Sequence, residues 1–140
     1  MAVRFDTEHL RRVLVNLLDN ACRYATQQAN AIQVSATVDG PQGATLCVWS
    51  NGAPMEQSVE RHLFEPFFSS ESRSSGLGLY ICRELCEGHG ATIDYQRSRR
   101  SMGPEDVDGN EFAITLERVE SFSHAIPGEM NETLWQPFLH

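Results

Sequence analysis

Two asparagines four residues apart fall in the segment Asn16-Leu-Leu-Asp-Asn20-Ala-Cys-Arg23-Tyr24, and about fifty residues later comes Ser75-Gly-Leu-Gly-Leu79. Neutral amide oxygens can ligate a hard cation such as Mg2+, which favours oxygen and usually keeps waters and substrate phosphates in its shell. Arg23 offers a fork of donors to phosphate oxygens, and Tyr24 a flat face for a base. Glycines just before a helix let the backbone approach an anion, and the helix N-terminus presents unpaired N–H groups and a partial positive charge. An amide pair with a distant glycine turn therefore suits a metal-bound nucleoside triphosphate.

These residues need elements to position them. Leu10, Val13, Leu14, Leu17, Leu18, Ala21, Cys22 and Ala25 recur at three and four, which predicts an amphipathic helix over 7–25 with Asp6 or Thr7 as its N-cap. Asn16 and Asn20 project together beside that stripe, and Arg23 follows one turn on. The bland alternative is a solvated pair of amides. Asn is a poor helix former, however, and two in the middle of a strong helix cost stability without local benefit. Leu79, Ile81, Cys82, Leu85 and Cys86 predict a second helix that opens at Gly78 and runs to Gly88. By itself Gly-x-Gly is more often a tight loop entering a helix; its place downstream of the asparagine helix gives it weight.

Alternating residues predict strands over 2–5, 31–38 and 45–50, with Asp39-Gly40-Pro41 as a turn, and a terminal hairpin of 92–96 and 111–117. The stretch 97–110 between the last two reads as an exposed, mobile loop; its acids lack the regular spacing of a calcium site. One hundred and forty residues, 41% of them apolar, suit one core. No apolar run approaches the ~20 residues of a membrane span and no secretory signal is visible. The chain is expected to be a piece of something longer, with Met1-Ala2 an added start. A net charge of −8 argues against nucleic-acid binding, which needs a basic surface. Cys22, Cys47, Cys82 and Cys86 fall in apolar patterns; Cys82-x3-Cys86 lacks a zinc-type partner, so packing thiols without disulfides are expected. The histidines His9, His62, His89, His124 and His140 are scattered, none in a phosphoacceptor context, and His9 reads as solvated. Residues 119–140 form a tail whose Met130, Leu134, Trp135, Phe138 and Leu139 suit docking on this domain or on a partner.

The order Asn16-x3-Asn20-Ala-x-Arg-Tyr, Ser50-Asn-Gly52, Phe64-Glu-Pro-Phe-Phe68 and Gly76-Leu-Gly-Leu79 resembles the N, G1, F and G2 boxes of the catalytic and ATP-binding domain of bacterial sensor histidine kinases. That domain belongs to the Bergerat-type ATPase group, and the stretch from Phe64 to Leu79, with its short lid, is most similar to the nitrogen-regulation and type IV pilus sensors. The resemblance covers residues 2 to about 118, so 1–118 is taken as the domain. It implies an α+β, two-layer α/β sandwich with a mixed sheet of about five strands and helices on one face. It further implies ATP and Mg2+ as cofactors and a histidine on a separate dimerisation domain as acceptor. A response regulator, a homodimeric full-length protein and a cytoplasmic domain of an inner-membrane-anchored sensor complete the expectation.

By the same resemblance Asn20 is the Mg2+ ligand and Asn16 stands where related ATPases hold an acidic general base. Arg23 contacts phosphate and Tyr24 lies beside the adenine. Gly52 matches the first G1 glycine, and Gly76 and Gly78, with Leu77 and Leu79, match the end of G2. Phe64, Phe67 and Phe68 match the F box, although two of the three suit a plain core role equally well. The departures are specific. Ser50 replaces the G1 aspartate that accepts a bond from the adenine amino group, Pro54 replaces a glycine, and Ser74 replaces the first G2 glycine. Losing a charge-assisted hydrogen bond costs about 1.5–3 kcal/mol, roughly ten- to a hundredfold in affinity. Asn51 is a partial substitute reader, but its side chain is expected on the other face. Two classes follow: a histidine kinase module, or a degenerate docking module of the same fold that binds nucleotide weakly.

Overall fold

The computed structural model describes residues 3–38, 43–67 and 77–117. Helix α1 spans Thr7–Tyr24, and its N-cap is Asp6, whose carboxylate accepts the His9 N–H at 3.1 Å. That bond satisfies one orphan donor of the first turn. The apolar stripe buries Val13, Leu17 and Ala21, each large side chain gaining about 1.5–3 kcal/mol on leaving water. Strands β1 (Ile32–Val38) and β2 (Gly43–Ser50) follow, then a single-turn helix α2 (Gln57–Glu60), helix α3 (Gly78–Gly88), and strands β3 (Thr92–Met102) and β4 (Glu105–Glu117). The sheet order is β1-β2-β4-β3.

The fold is α+β, with α1 and α3 laid on one face of the sheet. Val48 of β2, Ile93 of β3 and Phe112, Ile114 and Leu116 of β4 meet Val13, Leu17, Cys82 and Cys86 from the helices in one core. Every pairing among the four described strands is antiparallel, where a mixed sheet was expected. The strand expected at 2–5 is a single bridge at Val3, although Val3 and Phe5 are buried in the core.

The stretch expected as a mobile loop over 97–110 is instead regular ladder. Arg97 pairs with Asn110, Arg99 with Asp108 and Met102 with Glu105, and Gly103, at φ 83°, turns the corner. Its charged residues hid a strand because the cross-strand pairs are polar: Arg99 binds Asp108 at 3.0 Å, and such pairs stabilise a ribbon as apolar ones do. This ribbon covers the sheet face away from the helices. Trp49 is fully buried there and its indole N–H donates to the Ser98 carbonyl at 3.0 Å. Beside it Glu111 is buried, accepting from Arg100 and Gln96 at 2.6 Å each and from Ser98 at 3.1 Å.

All four cysteines are free thiols, and Cys82 and Cys86 pack in the core as expected, whereas Cys22 is exposed. Burial, with the neighbouring Cys86 adding to it, pushes the Cys82 thiol up to about 12. Burial and Glu87 push Cys86 up to about 11, so neither is a reactive thiolate near neutrality. His9 is not simply solvated: its Nδ1 lies 2.9 Å from Nε2 of His89, the C-cap of α3, which stacks on Phe5 at 4.4 Å. The tail 119–140, with His124 and His140, lies outside the described residues. Among the described residues no helix is long and apolar enough to cross a membrane.

Candidate functional site

The C-terminal half of α1 presents Asn16 and Asn20 half-buried on the flank of its core stripe, with Arg23 exposed and Tyr24 half-buried in the last turn. Helix periodicity explains the placement: the two amides sit one turn apart, and the buried Leu17 and Ala21 fix the rotation of the helix. A Cβ added at Gly78 would stand 4.0 Å from Asn16 Oδ1, so the first residue of α3 opens beside this amide. The Cys82 thiol, one turn further along α3, donates to the Val13 carbonyl of α1 at 3.7 Å. Among the described residues the side chains of Asn20 and Arg23 make no hydrogen bond or ion pair.

Gly52 closes the other end. A Cβ there would lie 2.9 Å from Tyr24 Cβ, 3.0 Å from the Tyr24 carbonyl and 3.2 Å from Asn110 Nδ2. Only glycine lets the backbone after β2 come this close to the end of α1. Ser50 is buried at the end of β2, in register with Ile32 on β1 and Asn110 on β4. Asn51 is not available as a substitute base reader. Its Oδ1 accepts the Thr26 N–H at 3.0 Å and its Nδ2 donates to Thr26 Oγ1 at 2.8 Å, which clamps the loop leaving α1.

Leu77 is the N-cap residue of α3 and supplies no side-chain cap, so nothing from its own side chain occupies the first-turn N–H groups. Leu79 packs against the core. Phe64 meets Phe112 edge-on at 6.2 Å, a core contact, while Phe67 is 79% exposed and adopts φ 63°. Gly76, Phe68 and Ser74 lie outside the described residues. The structure thus brings Asn16 to Gly78 and Tyr24 to Gly52, two contacts at the two ends of the exposed flank of α1.

Three residues that sequence reasoning left in a loop or a bare strand belong to this site. Arg97 Nη1 donates to the Gly52 carbonyl at 2.8 Å and to Asn110 Oδ1 at 3.2 Å. Asn110 Nδ2 donates to the Ala53 carbonyl at 3.0 Å, and the Tyr95 hydroxyl donates to Asn110 Oδ1. Burial raises the Tyr95 phenol above its ordinary value, against the opposing charge of Arg97. The available signal was the alternation Tyr95, Arg97 and Phe112, Asn110, which places all four on one sheet face.

As for Mg2+, the described residues hold no group of three or more His, Cys, Asp or Glu side chains that could hold a metal. An uncommitted Asn20 amide fits a metal carried chiefly by phosphates and water, which needs few protein ligands.

The chain also matches a known family. The model for the "Histidine kinase-, DNA gyrase B-, and HSP90-like ATPase" matches residues 5–120, and the chain belongs to that family. It is 38% identical over 103 residues to the sensor protein kinase PilS of Pseudomonas aeruginosa, covering 71% of this chain and 19% of that protein. It is 34% identical over 110 residues to the C4-dicarboxylate transport sensor protein DctB of Rhizobium meliloti, covering 78% of this chain and 16% of that one. The chain therefore spans less than a fifth of either relative. Among solved structures, the nucleotide-free catalytic domain of histidine kinase ThkA superposes with a TM-score of 0.67 at 26% identity, covering 84% of this chain and 73% of that one. The mycobacterial sensor histidine kinase MprB, at 23% identity and a TM-score of 0.65 over 84% of this chain and 78% of that one, shares the fold.

Proposed function

We propose that this domain binds ATP with Mg2+ and transfers the γ-phosphoryl group to a histidine on a separate dimerisation domain, from which a response-regulator aspartate takes it. The observation that carries this reading is the opening of α3 at Gly78 beside Asn16, with the uncommitted Asn20 one turn along. Asn20 would hold Mg2+ through its amide oxygen, and the metal when bound neutralises phosphate charge. Arg23 donates to phosphate oxygens, and the first-turn N–H groups of α3, which opens at Gly78, face them. Gly52 and Tyr24 receive the base, with Ser50, Leu77 and Leu79 around it. Asn16 orients the acceptor imidazole. In such transfers positioning and charge stabilisation are most of what the protein contributes.

The similarity to PilS and DctB, both named as sensors, supports a place for the domain within a sensor protein; in our reading that protein is a membrane-anchored homodimer with this domain on its cytoplasmic side. A second reading, a degenerate docking module, is favoured by the buried neutral Ser50 and by the commitment of Asn51 to Thr26. The two separate in one assay. The chain by itself should incorporate no label from γ-labelled ATP, yet should phosphorylate a supplied histidine-bearing dimerisation domain in trans. Label on the isolated chain, or none on the supplied domain despite ATP binding, would contradict the kinase reading.

A further inference from the structure

The turn Gly52–Ala53 lacks the usual means of holding its shape. Pro54 offers no N–H donor, and the side chain of Asn51 is spent on Thr26. Both carbonyls of the turn are instead bound from the terminal hairpin: Gly52 by Arg97 at 2.8 Å and Ala53 by Asn110 at 3.0 Å. Asn110 is buried and sits in register with Ser50 on one side and Arg97 on the other, so a polar row crosses the sheet where it meets the end of α1. The Tyr95 hydroxyl and Arg97 share Asn110 Oδ1, which fixes which way the amide points and keeps its N–H toward the turn. Gly52 in turn abuts Tyr24 with no room for a methyl group.

We infer that Arg97 and Asn110, braced by Tyr95, are positioning residues for the base end of the nucleotide: they hold the Gly52–Ala53 turn against Tyr24, so that a base is received there although Ser50 offers no carboxylate. This rests on the nucleotide-binding reading above and adds to it a set of residues that touches neither metal nor phosphate. The phosphate end depends on α1 and α3, and the base end on the β3–β4 hairpin. Loss of the row should therefore weaken ligands that carry a base and spare those that do not.

The test is titration of the whole chain with ATP–Mg2+ and with tripolyphosphate–Mg2+, for the parent, Asn110→Ala, Arg97→Met and Arg97→Lys, with thermal melting of each. Arg97 is exposed, so Arg97→Met keeps the test usable should Asn110→Ala unfold. ATP affinity should fall about tenfold in Arg97→Met, the order expected for one bond from a charged donor, while tripolyphosphate affinity stays within about twofold. Arg97→Lys should recover most of the ATP loss. Equal losses for both ligands, or no loss for either, would overturn the assignment. A parent that bound tripolyphosphate but not ATP would overturn it as well; a parent that bound neither would instead sink the nucleotide-binding reading on which it rests.

Discussion

The two polar regions of this domain are built in opposite ways. On the ribbon side of the sheet, Arg100, Gln96 and Ser98 converge on buried Glu111, and Trp49 donates to Ser98, so donors meet acceptors at close range. On the flank of α1, Asn20 and Arg23 are held by a rigid helix but make no hydrogen bond to other described residues. A satisfied network spends its hydrogen-bonding capacity on the fold. Unspent capacity on a well-packed helix is available to a ligand. The difference teaches which polar residues to assign to structure and which to binding.

That contrast can be broken first at Gly109. A Cβ there would stand 2.2 Å from the Ser50 carbonyl and 2.5 Å from the Trp49 ring, both fixed by the sheet. Gly109→Ala should therefore lower unfolding stability by about 3 kcal/mol, as overpacking a tight core does. A chemical denaturation midpoint equal to the parent's would mean that the ribbon does not press on β2 as described.

A smaller effect is expected at Glu111. Burial pushes its carboxyl up, but the bond from Arg100, with those from Gln96 and Ser98, outweighs this and holds it below the ordinary carboxylate range. A depressed carboxylate stabilises the fold above its unfolded value, about 4.5, and that stability is lost as pH falls through the lower folded value. Glu111→Gln should cost about 1–2 kcal/mol at neutral pH and flatten the acid limb of the stability profile, since Arg100 is part-exposed and relieved by water. ATP affinity should be unchanged. A loss of ATP binding without a loss of stability would place Glu111 on the binding side of the comparison.

The smallest effect belongs to the His9–His89 contact, which joins the start of α1 to the end of α3. Burial first, then the charge on His9, pulls His89 below its ordinary value of 6.5, against the pull of Asp6. A base with a depressed folded value favours the neutral form, so stability is lost as pH falls from 6.5 through that lower value. Melting temperature should drop over this window in the parent and not in His89→Phe, which keeps a ring on Phe5. Parallel profiles for the two would rule out this contact as the source.

Much of the scaffold was legible in the sequence because it rests on local rules. The three-and-four spacing and Asp6 marked α1, and Gly78 and Gly88 bound α3, since periodicity and caps act over a few residues. The ribbon over 97–110 was not legible. Its stability comes from cross-strand ion pairs and from covering Trp49, which depend on register between distant segments. For the same reason Arg97 and Asn110 were missed: their link to Gly52 and Ala53 spans some fifty residues and carries no local pattern. Alternation along β2 turned Asn51 away from the base, but its actual partner, Thr26, is another contact that sequence spacing does not encode.

The most direct test of the central claim is calorimetric titration of the whole chain with ATP–Mg2+, run on the parent and on Asn20→Ala with thermal melting alongside. The account predicts saturable, Mg2+-dependent binding by the parent, no measurable Mg2+-dependent binding by the mutant, and equal melting temperatures, because the Asn20 amide touches no described partner in the fold. Equal affinity for the parent and the mutant would contradict it.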